Sequence, residues 1–486
     1  MKGTVLGILS VMIMVVSGKG QNYHAVEGSP FAGSLGVANN PASIVSTPYP
    51  WDITVFSFQL KNATNAFTIY NYSLISRADS SKYGFNNGNF ARNANFNFNI
   101  HLLNARIALN RRQSVAFGAN LRGYGLGKTS RFNYLDSLHD INNFFLVNKG
   151  NLPFDGNAVS SAWLELFFTY AQTIRDDEQG RLNAGVTLKA MRGISGGFVQ
   201  LNGGTVQSTQ VAGQPVYKLN GGLARYGYSS NYDLWQSSKS TGQNIKDFLV
   251  ASKGGLALDL GAEYLVKSQA VRYYTDDEYD DYNEYEWKIG VSLLDVGQNT
   301  FKYGTQSRLA ADPKTSIADS NLDTKFNNRI NTLAQFNDSL ATVASNFGLL
   351  TGDFTIRNPI RLVINVDRPL QDHFSVNANL SLNLTGSNQG KTLSVQEMNL
   401  LILTPRWETR RWGLYLPIQV TTQGKFWVGG AFKAGPLLFG LHNWANVFSK
   451  KSMQNGGGYI ALVIRPGTGL RVKRDKRLDC PKESGR

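Results

Sequence analysis

Several stretches of the 486-residue chain have residue types and spacings that would suit chemistry. Gly193-Ile194-Ser195-Gly196-Gly197 fits the pattern that places a nucleophilic serine on a strand-to-helix elbow. An elbow needs a helix next, whereas Phe198-Val199-Gln200-Leu201 reads as extended. Residues 123–129 and 386–392 each fall one residue short of a phosphate-binding P-loop, and no suitable helix follows either. The acidic run Asp276, Asp277, Glu278, Asp280, Asp281, Glu284 and Glu286 offers the carboxylates that Ca²⁺ favours. It lacks the spacing and central glycine of an EF-hand loop, and reads as a solvated turn. The five histidines, His24, His101, His139, His373 and His442, form no HExxH pair. Cys480 is the one cysteine, which rules out an intramolecular disulfide framework and a Cys-based zinc site. No catalytic residue, metal site or cofactor is expected, and the chain does not read as an enzyme.

The elements around these stretches explain them better. Asn95-Phe96-Asn97-Phe98-Asn99-Ile100-His101-Leu102 alternates polar and apolar residues, and so does Val376 to Thr385. The same period recurs at Leu256, Leu258 and Leu260, at Val115, Phe117, Ala119 and Leu121, and at Leu414, Leu416, Ile418 and Val420. Successive side chains of a strand point to opposite faces, so each segment has one greasy side and one wet side. Charged residues are only 17% of the chain, against about 25% in soluble proteins. The formal charge of +15 is scattered rather than gathered into a stripe, which argues against a nucleic-acid partner. No run of 18 apolar residues follows the N-terminus, and a chain without such a run crosses a membrane only as a closed barrel.

Three further features favour that barrel over a soluble sandwich. Short connections near residues 110–113, 174–181, 368–373, 408–412 and 434–436 alternate with long ones near 126–157, 194–254 and 297–357. Trp51, Trp287, Trp407 and Trp412 lie on the short-turn side and Trp163 and Trp427 on the other, as two interfacial girdles would. Lys2, the apolar run 3–17 and Gly18-Lys19-Gly20 read as a secretory signal cleaved after Gly20. The fold class is therefore all-β: a transmembrane antiparallel barrel with helical insertions in its external loops and an N-terminal segment outside the wall. Strand parity gives thirteen crossings, and the region from Trp51 to Ile75 supplies a fourteenth. The expected organisation is a signal peptide over 1–20, an N-terminal segment over 21–50, which a FadL-like resemblance drawn from Asn40-Pro41-Ala42 implies is a plug, the barrel over 51–466 and a basic periplasmic tail over 467–486.

If the apolar sets face lipid, the lumen receives Asn97, Asn99, Arg122, Lys189, Asp259, Glu263, Arg361 and Asp367. Asn365, Asn377 and Asn379 join them. Such a lining suits water, polar solutes or a filled interior. Leu322, Phe326, Ile330, Leu333, Phe336, Leu340, Val343 and Phe347 recur at three and four residues and predict an external helix over 320–347. A second, shorter helix is expected over 136–147. The helix over 320–347 reads either as a roof packed on neighbouring loops or as a docking element for a surface protein partner, and the basic tail either as a solvated segment or as a docking element for a periplasmic one.

Ahead of the first strand, the stretch from Gly28 to Ala42 ends in Asn39-Asn40-Pro41-Ala42. With the Phe432–Gly440 hairpin, this resembles the fatty-acid-transporter (FadL-like) superfamily of outer-membrane barrels, including its PorV-like branch. The resemblance implies fourteen strands and a plug that carries its Asn-Pro-Ala motif inside the lumen. It also implies localisation in the outer membrane of a Gram-negative cell, in contact with its lipid. Its FadL-like side implies a plugged channel for uptake of a small amphipathic or polar ligand. Its PorV-like side implies a non-transporting scaffold for secretion or surface-protein assembly.

Overall fold

The computed structural model describes residues 24–466 apart from 74–81, 137–140, 150–152, 268–284, 315–316, 319–323, 327–329, 387–391, 422–424 and 448–449. The expected signal peptide, the basic tail with Cys480 and most of the acidic run lie outside the described residues.

Fourteen antiparallel strands form the wall. They are β1 (Trp51–Thr64), β2 (Gly88–Asn110), β3 (Gln113–Tyr134), β4 (Phe154–Asp176), β5 (Gly180–Val211), β6 (Gly254–Val266) and β7 (Trp287–Lys302). Then come β8 (Arg361–Pro369), β9 (Phe374–Asn383), β10 (Leu400–Glu408), β11 (Trp412–Tyr415 continued by Ile418–Thr421) and β12 (Phe426–Val428 continued by Gly430–Ala434). The last two are β13 (Leu437–Leu441) and β14 (Asn455–Ile464). Each pairs with its neighbour in sequence. β1 closes the ring by pairing with β2 on one side and with β14 on the other, from Ile53 opposite Ile464 to Ala63 opposite Asn455. The count matches the parity of the alternating segments.

The period-two pattern sorts the faces. Leu188 and Leu256 are 61% and 76% exposed on the outside, while Thr187 and Lys189, the sequence neighbours of Leu188, are buried within. Exposed leucines and phenylalanines recur round the wall, among them Phe117, Leu166, Leu401, Leu414 and Leu437. A surface of this kind needs lipid as its solvent. Leu188 lies midway along the outward series Leu182, Ala184, Val186, Leu188 and Ala190, which ends at exposed Arg192. Leu188→Arg should therefore cost about 2–4 kcal/mol of barrel stability in a urea titration from lipid vesicles. A cost near zero would place that row outside the hydrocarbon.

Trp51, Trp287, Trp407 and Trp412 stand at the short-turn end as expected, with Trp287 and Trp412 exposed. Trp163 and Trp427 do not form a second girdle, because both are buried inside. Alternation explains the difference: Trp163 shares its parity with Glu165, whose carboxylate accepts a 3.0 Å hydrogen bond from the Trp163 indole Nε1.

Residues 320–323 and 327–329 of the expected external helix lie outside the described residues, and in the rest the helix is shorter than its spacing predicts. α-Helix runs over Leu333–Val343, started by a capping box between Thr332 and Gln335. It gives way to an extended segment, Ala344–Leu349, paired antiparallel with Arg308–Pro313. Phe347 kept the three-and-four spacing, yet Ala344-Ser345-Asn346-Phe347 is stabilised by ladder hydrogen bonds to a neighbouring strand. Tertiary pairing outweighs the weak local preference for helix. The shorter candidate is a helix over Ile141–Asn148, and residues 137–140 before it lie outside the described set.

Candidate functional site

The chain enters the wall from inside. Three 3₁₀ turns, His24–Val26, Gly33–Ala38 and Pro41–Val45, precede β1 and are almost entirely buried. Their polar partners lie on the lumen faces of strands all round the ring. Ser34 N donates to Asp52 of β1 at 2.6 Å, and Arg106 of β2 pairs with that carboxylate at 2.6 Å. Arg106 also donates to the carbonyls of Ile44, at 3.0 Å, and Tyr49. Ser46 donates to Glu263 of β6 at 2.7 Å, and Asn183 of β5 donates to Ser46 at 2.8 Å. Ser292 of β7 donates to the Asn39 carbonyl at 2.6 Å. Arg406 of β10 donates to the Glu27 carbonyl at 3.1 Å, and Ser29 donates to Glu408 at 2.6 Å. Apolar contacts fill the gaps: Ala25, Val26, Ala32 and Leu35 pack on Tyr415, Leu438 and Tyr459, and Val37 and Ile44 on Ala116 and Phe167.

The Asn-Pro-Ala turn has its own seat. The Asn40 side chain accepts from Ala42 N at 3.0 Å, capping the turn Pro41–Val45, and donates to the Ala262 carbonyl of β6 at 3.0 Å. Pro41 stands at the first position of that turn, where its missing N–H is not needed. Beneath lie three glycines on adjacent strands: Gly185 of β5, Gly261 of β6 and Gly290 of β7. A Cβ on Gly185 would stand 2.6 Å from Ala42 N, one on Gly261 2.8 Å from Pro41 Cδ, and one on Gly290 2.9 Å from Asn40 Nδ2. Only a wall without side chains at these positions lets the motif approach so closely.

Further from the short turns the lumen is filled with charge. Arg122 of β3 makes a two-pronged contact with Asp295 of β7, at 2.5 and 2.8 Å, and reaches Glu165 of β4 at 3.4 Å. Lys189 of β5 stands 2.7 Å from both Asp259 of β6 and Asp295. Arg361 of β8 contacts Asp295 at 3.6 Å and Glu397 at 3.0 Å, and Glu397 lies 3.9 Å from Lys61 of β1. All these side chains are buried. Four basic groups (Lys61, Arg122, Lys189, Arg361) face four acidic ones (Glu165, Asp259, Asp295, Glu397), so the interior carries no net attraction for either sign. A second balanced cluster lies level with the N-terminal 3₁₀ turns, where Lys288, Arg406 and Lys433 meet Glu263, Asp367 and Glu408. Towards the long loops an aromatic group covers the charges: Tyr124 stacks on Trp163 at 5.4 Å, and Phe354 meets Phe198, Phe301 and Tyr303.

Among the lumen residues expected from alternation, Arg122, Lys189, Asp259 and Arg361 come together in the upper cluster. Glu263 and Asp367 fall in the lower one. Asn97 and Asn99 face inward from β2, with Asn99 Nδ2 3.4 Å from His101 Nε2. Sequence reasoning missed Asp295, Glu165, Glu397 and Lys61. Glu165 had a legible signal, a lone carboxylate between Leu164 and Leu166. Asp295 had none, since its inward aim comes from a bulge opposite Asp259 and a φ of 61°.

Two of the motifs that suggested chemistry resolve into wall, while residues 387–391 of the stretch 386–392 lie, like most of the acidic run, outside the described residues. Residues 193–197 lie within β5 with no helix after them, and a Cβ on Gly193 or Gly196 would come within 2.7 Å of the Phe301 ring. Residues 123–129 lie within β3, where a Cβ on Gly123 would run into Phe98. Among the described residues no three His, Cys, Asp or Glu side chains converge as metal ligands would.

A family model described as "Family of unknown function (DUF5723)" matches residues 41–442. No curated protein matches the sequence. Among solved structures the chain is similar to the toluene transporter TbuX of Ralstonia pickettii, at 13% identity and a TM-score of 0.40, over 93% of this chain and 98% of that one. It is similar to a FadL homologue of Pseudomonas aeruginosa at 10% identity and a TM-score of 0.38, over 92% and 98%. It is also similar to the toluene transporter TodX of P. putida at 11% identity and a TM-score of 0.33, over 89% and 93%.

Proposed function

We propose that this chain, which belongs to the family of unknown function DUF5723, is a plugged channel of the Gram-negative outer membrane that admits a small amphipathic or polar ligand. The observation that carries the reading is how the plug is held. Its 3₁₀ turns share no strand pairing with the wall, and individual hydrogen bonds and ion pairs attach them to it. Such a segment can shift as a unit while every wall ladder stays intact. The ligand class follows from the lining. A hydrocarbon moving down the lumen would have to replace the hydrogen bonds and ion pairs of Arg122, Lys189 and Asp259 with nothing, a large desolvation cost. An amphipathic molecule can meet the aromatic group with one end and the charged layer with the other. In this reading the signal over 1–20 delivers the chain, 21–50 is the plug and 467–486 is a periplasmic tail.

Deletion of residues 28–42 should raise single-channel conductance in planar bilayers. Unchanged conductance from an intact barrel would remove the gating role.

One observation favours a second reading, a scaffold that transports nothing. The charged layer is buried and electrically balanced, as befits a sealed interior. Protein partners would then dock on the long-loop face, where the helix Leu333–Val343 sits, or on the basic tail. Solute flux into vesicles after plug deletion separates the two, since a scaffold stays sealed by its charged layer.

A further inference from the structure

The long-loop rim holds a cavity that neither the plug nor the ion clusters use. It opens where the end of β1 and the starts of β2 and β14 meet a small sheet of Phe67–Tyr72, Lys82–Phe85 and Lys451–Met453. Its volume is about 950 Å³, at the upper end of the roughly 300–1,000 Å³ typical of small-molecule sites. Among the described residues no charged side chain lines it. Five of the lining residues are asparagine, Gln454, Thr68 and Ser452 stand beside them, and three are aromatic.

We propose that this cavity binds a neutral polyhydroxylated ligand, a sugar unit or short oligosaccharide. A carboxamide presents a donor and an acceptor side by side, which matches neighbouring hydroxyls that each give and take a hydrogen bond. Among the described lining residues an ionic ligand would find no counter-charge to replace its hydration, and a hydrocarbon would leave the amides unsatisfied. The groups are also pre-aimed. Thr68 Oγ1 donates to Asn86 Oδ1 at 2.6 Å and accepts from Gln454 Nε2 at 3.1 Å. Asn86 Nδ2 donates to the Asn65 carbonyl at 2.8 Å, and Asn443 Nδ2 donates to Asn455 Oδ1 at 2.8 Å. These bonds tie three chain segments into one rim, so little order has to be gained on binding.

The aromatics are held yet open. Tyr70 lies over Gly84, where a Cβ would come within 2.9 Å of its ring, and it remains 41% exposed. Phe85 sets its ring against Tyr134 at 4.6 Å and remains 38% exposed. Flat, fixed ring faces are what the C–H face of a pyranose packs against. The inference does not rest on transport, because a barrel that moves nothing can bind at this rim.

The test is calorimetric titration of the full chain in phospholipid nanodiscs with neutral tetrasaccharides: maltotetraose, cellotetraose and chitotetraose. At least one should bind. Tyr70→Ala and Asn86→Ala should each weaken that binding by about tenfold or more. Tyr83→Ala, 70% exposed and outside the lining, should leave it within about twofold. All three positions lie outside the wall, so heat-modifiable gel mobility verifies that the barrel is folded. If Asn86→Ala disturbs the small sheet, Tyr70→Ala decides alone. Nanodiscs carrying a neutral glycolipid distinguish the sources: competition with the bound tetrasaccharide assigns a membrane-anchored headgroup, and its absence a soluble sugar. No heat from any of the three sugars, or binding that Tyr70→Ala leaves unchanged, overturns the proposal.

Discussion

Asp295→Asn should lower the unfolding free energy of the barrel by about 3–5 kcal/mol, the cost of leaving buried charges without their partner. Asp295 is the hub of the upper cluster, touching Arg122, Lys189 and Arg361 at once. Its backbone N–H also donates to Asp259 at 2.6 Å, so the bulge that turns it inward is fixed by a second carboxylate. Asparagine tolerates the positive φ and keeps the volume, which leaves the lost charge as the main change. Four cations would then face three anions among buried side chains. Adding Arg361→Met should recover much of the loss. The remaining groups would still have partners: Arg122 with Glu165, Lys189 with Asp259, and Lys61 with Glu397. Urea unfolding from lipid vesicles measures both variants. A loss below about 1 kcal/mol, as at exposed pairs, would mean that water screens the cluster and that the lumen is wet.

That outcome also bears on what was legible beforehand. Each crossing imposes the same period on its residues, so the strand count could be read from alternation and turn parity, and so could the inward aim of Arg122, Lys189, Asp259 and Arg361. Their grouping was not legible, because the lumen joins strands that are far apart in the chain. Asp295 shows the limit most sharply, since a single bulge reverses the face that parity would assign. The apolar spacing from Leu322 to Phe347 misled for a related reason. A period of three and four residues describes a helix only while the segment has no better ladder, and Ala344–Leu349 finds one.

The placement of the buried N-terminal segment was legible in part. Asn40-Pro41-Ala42 carried a resemblance that implies a motif inside the lumen, and the structure seats those residues against the inner wall, but their partners Gly185, Gly261 and Gly290 carried no signal. A glycine within a strand tells only that a side chain is missing. What occupies the vacated space appears when the chain is folded, and here it is another part of the same chain. The same holds for Gly193, the first glycine of the sequence that imitated a catalytic motif, and for Gly196 within it, since the Phe301 ring occupies the space beside both.

Gly261→Val should unseat the plug and leave the wall closed. In β6 the backbone is extended and without a positive φ, so valine suits the strand itself. On the lumen side its Cβ would meet Asn40 and come within 2.8 Å of Pro41 Cδ. The neighbouring strands cannot yield sideways, because β6 is paired along its length to β5 and β7. Overpacking of this kind costs about 1–3 kcal/mol, and the Asn40 to Ala262 hydrogen bond lost with it adds about 0.5–1.5 kcal/mol. Together they shift the ratio of unseated to seated plug by roughly ten- to a thousand-fold. Single-channel recordings should show open events approaching those of the variant lacking residues 28–42, from a barrel with unchanged heat-modifiable mobility. Gly348→Val, at a position with nothing within 4 Å, should leave conductance as it was. If Gly261→Val conducts no more than the unmodified chain while the deletion does, the seat beneath Asn40-Pro41-Ala42 contributes little to closure. The bonds from Arg106, Ser292 and Arg406 would then be what holds the plug.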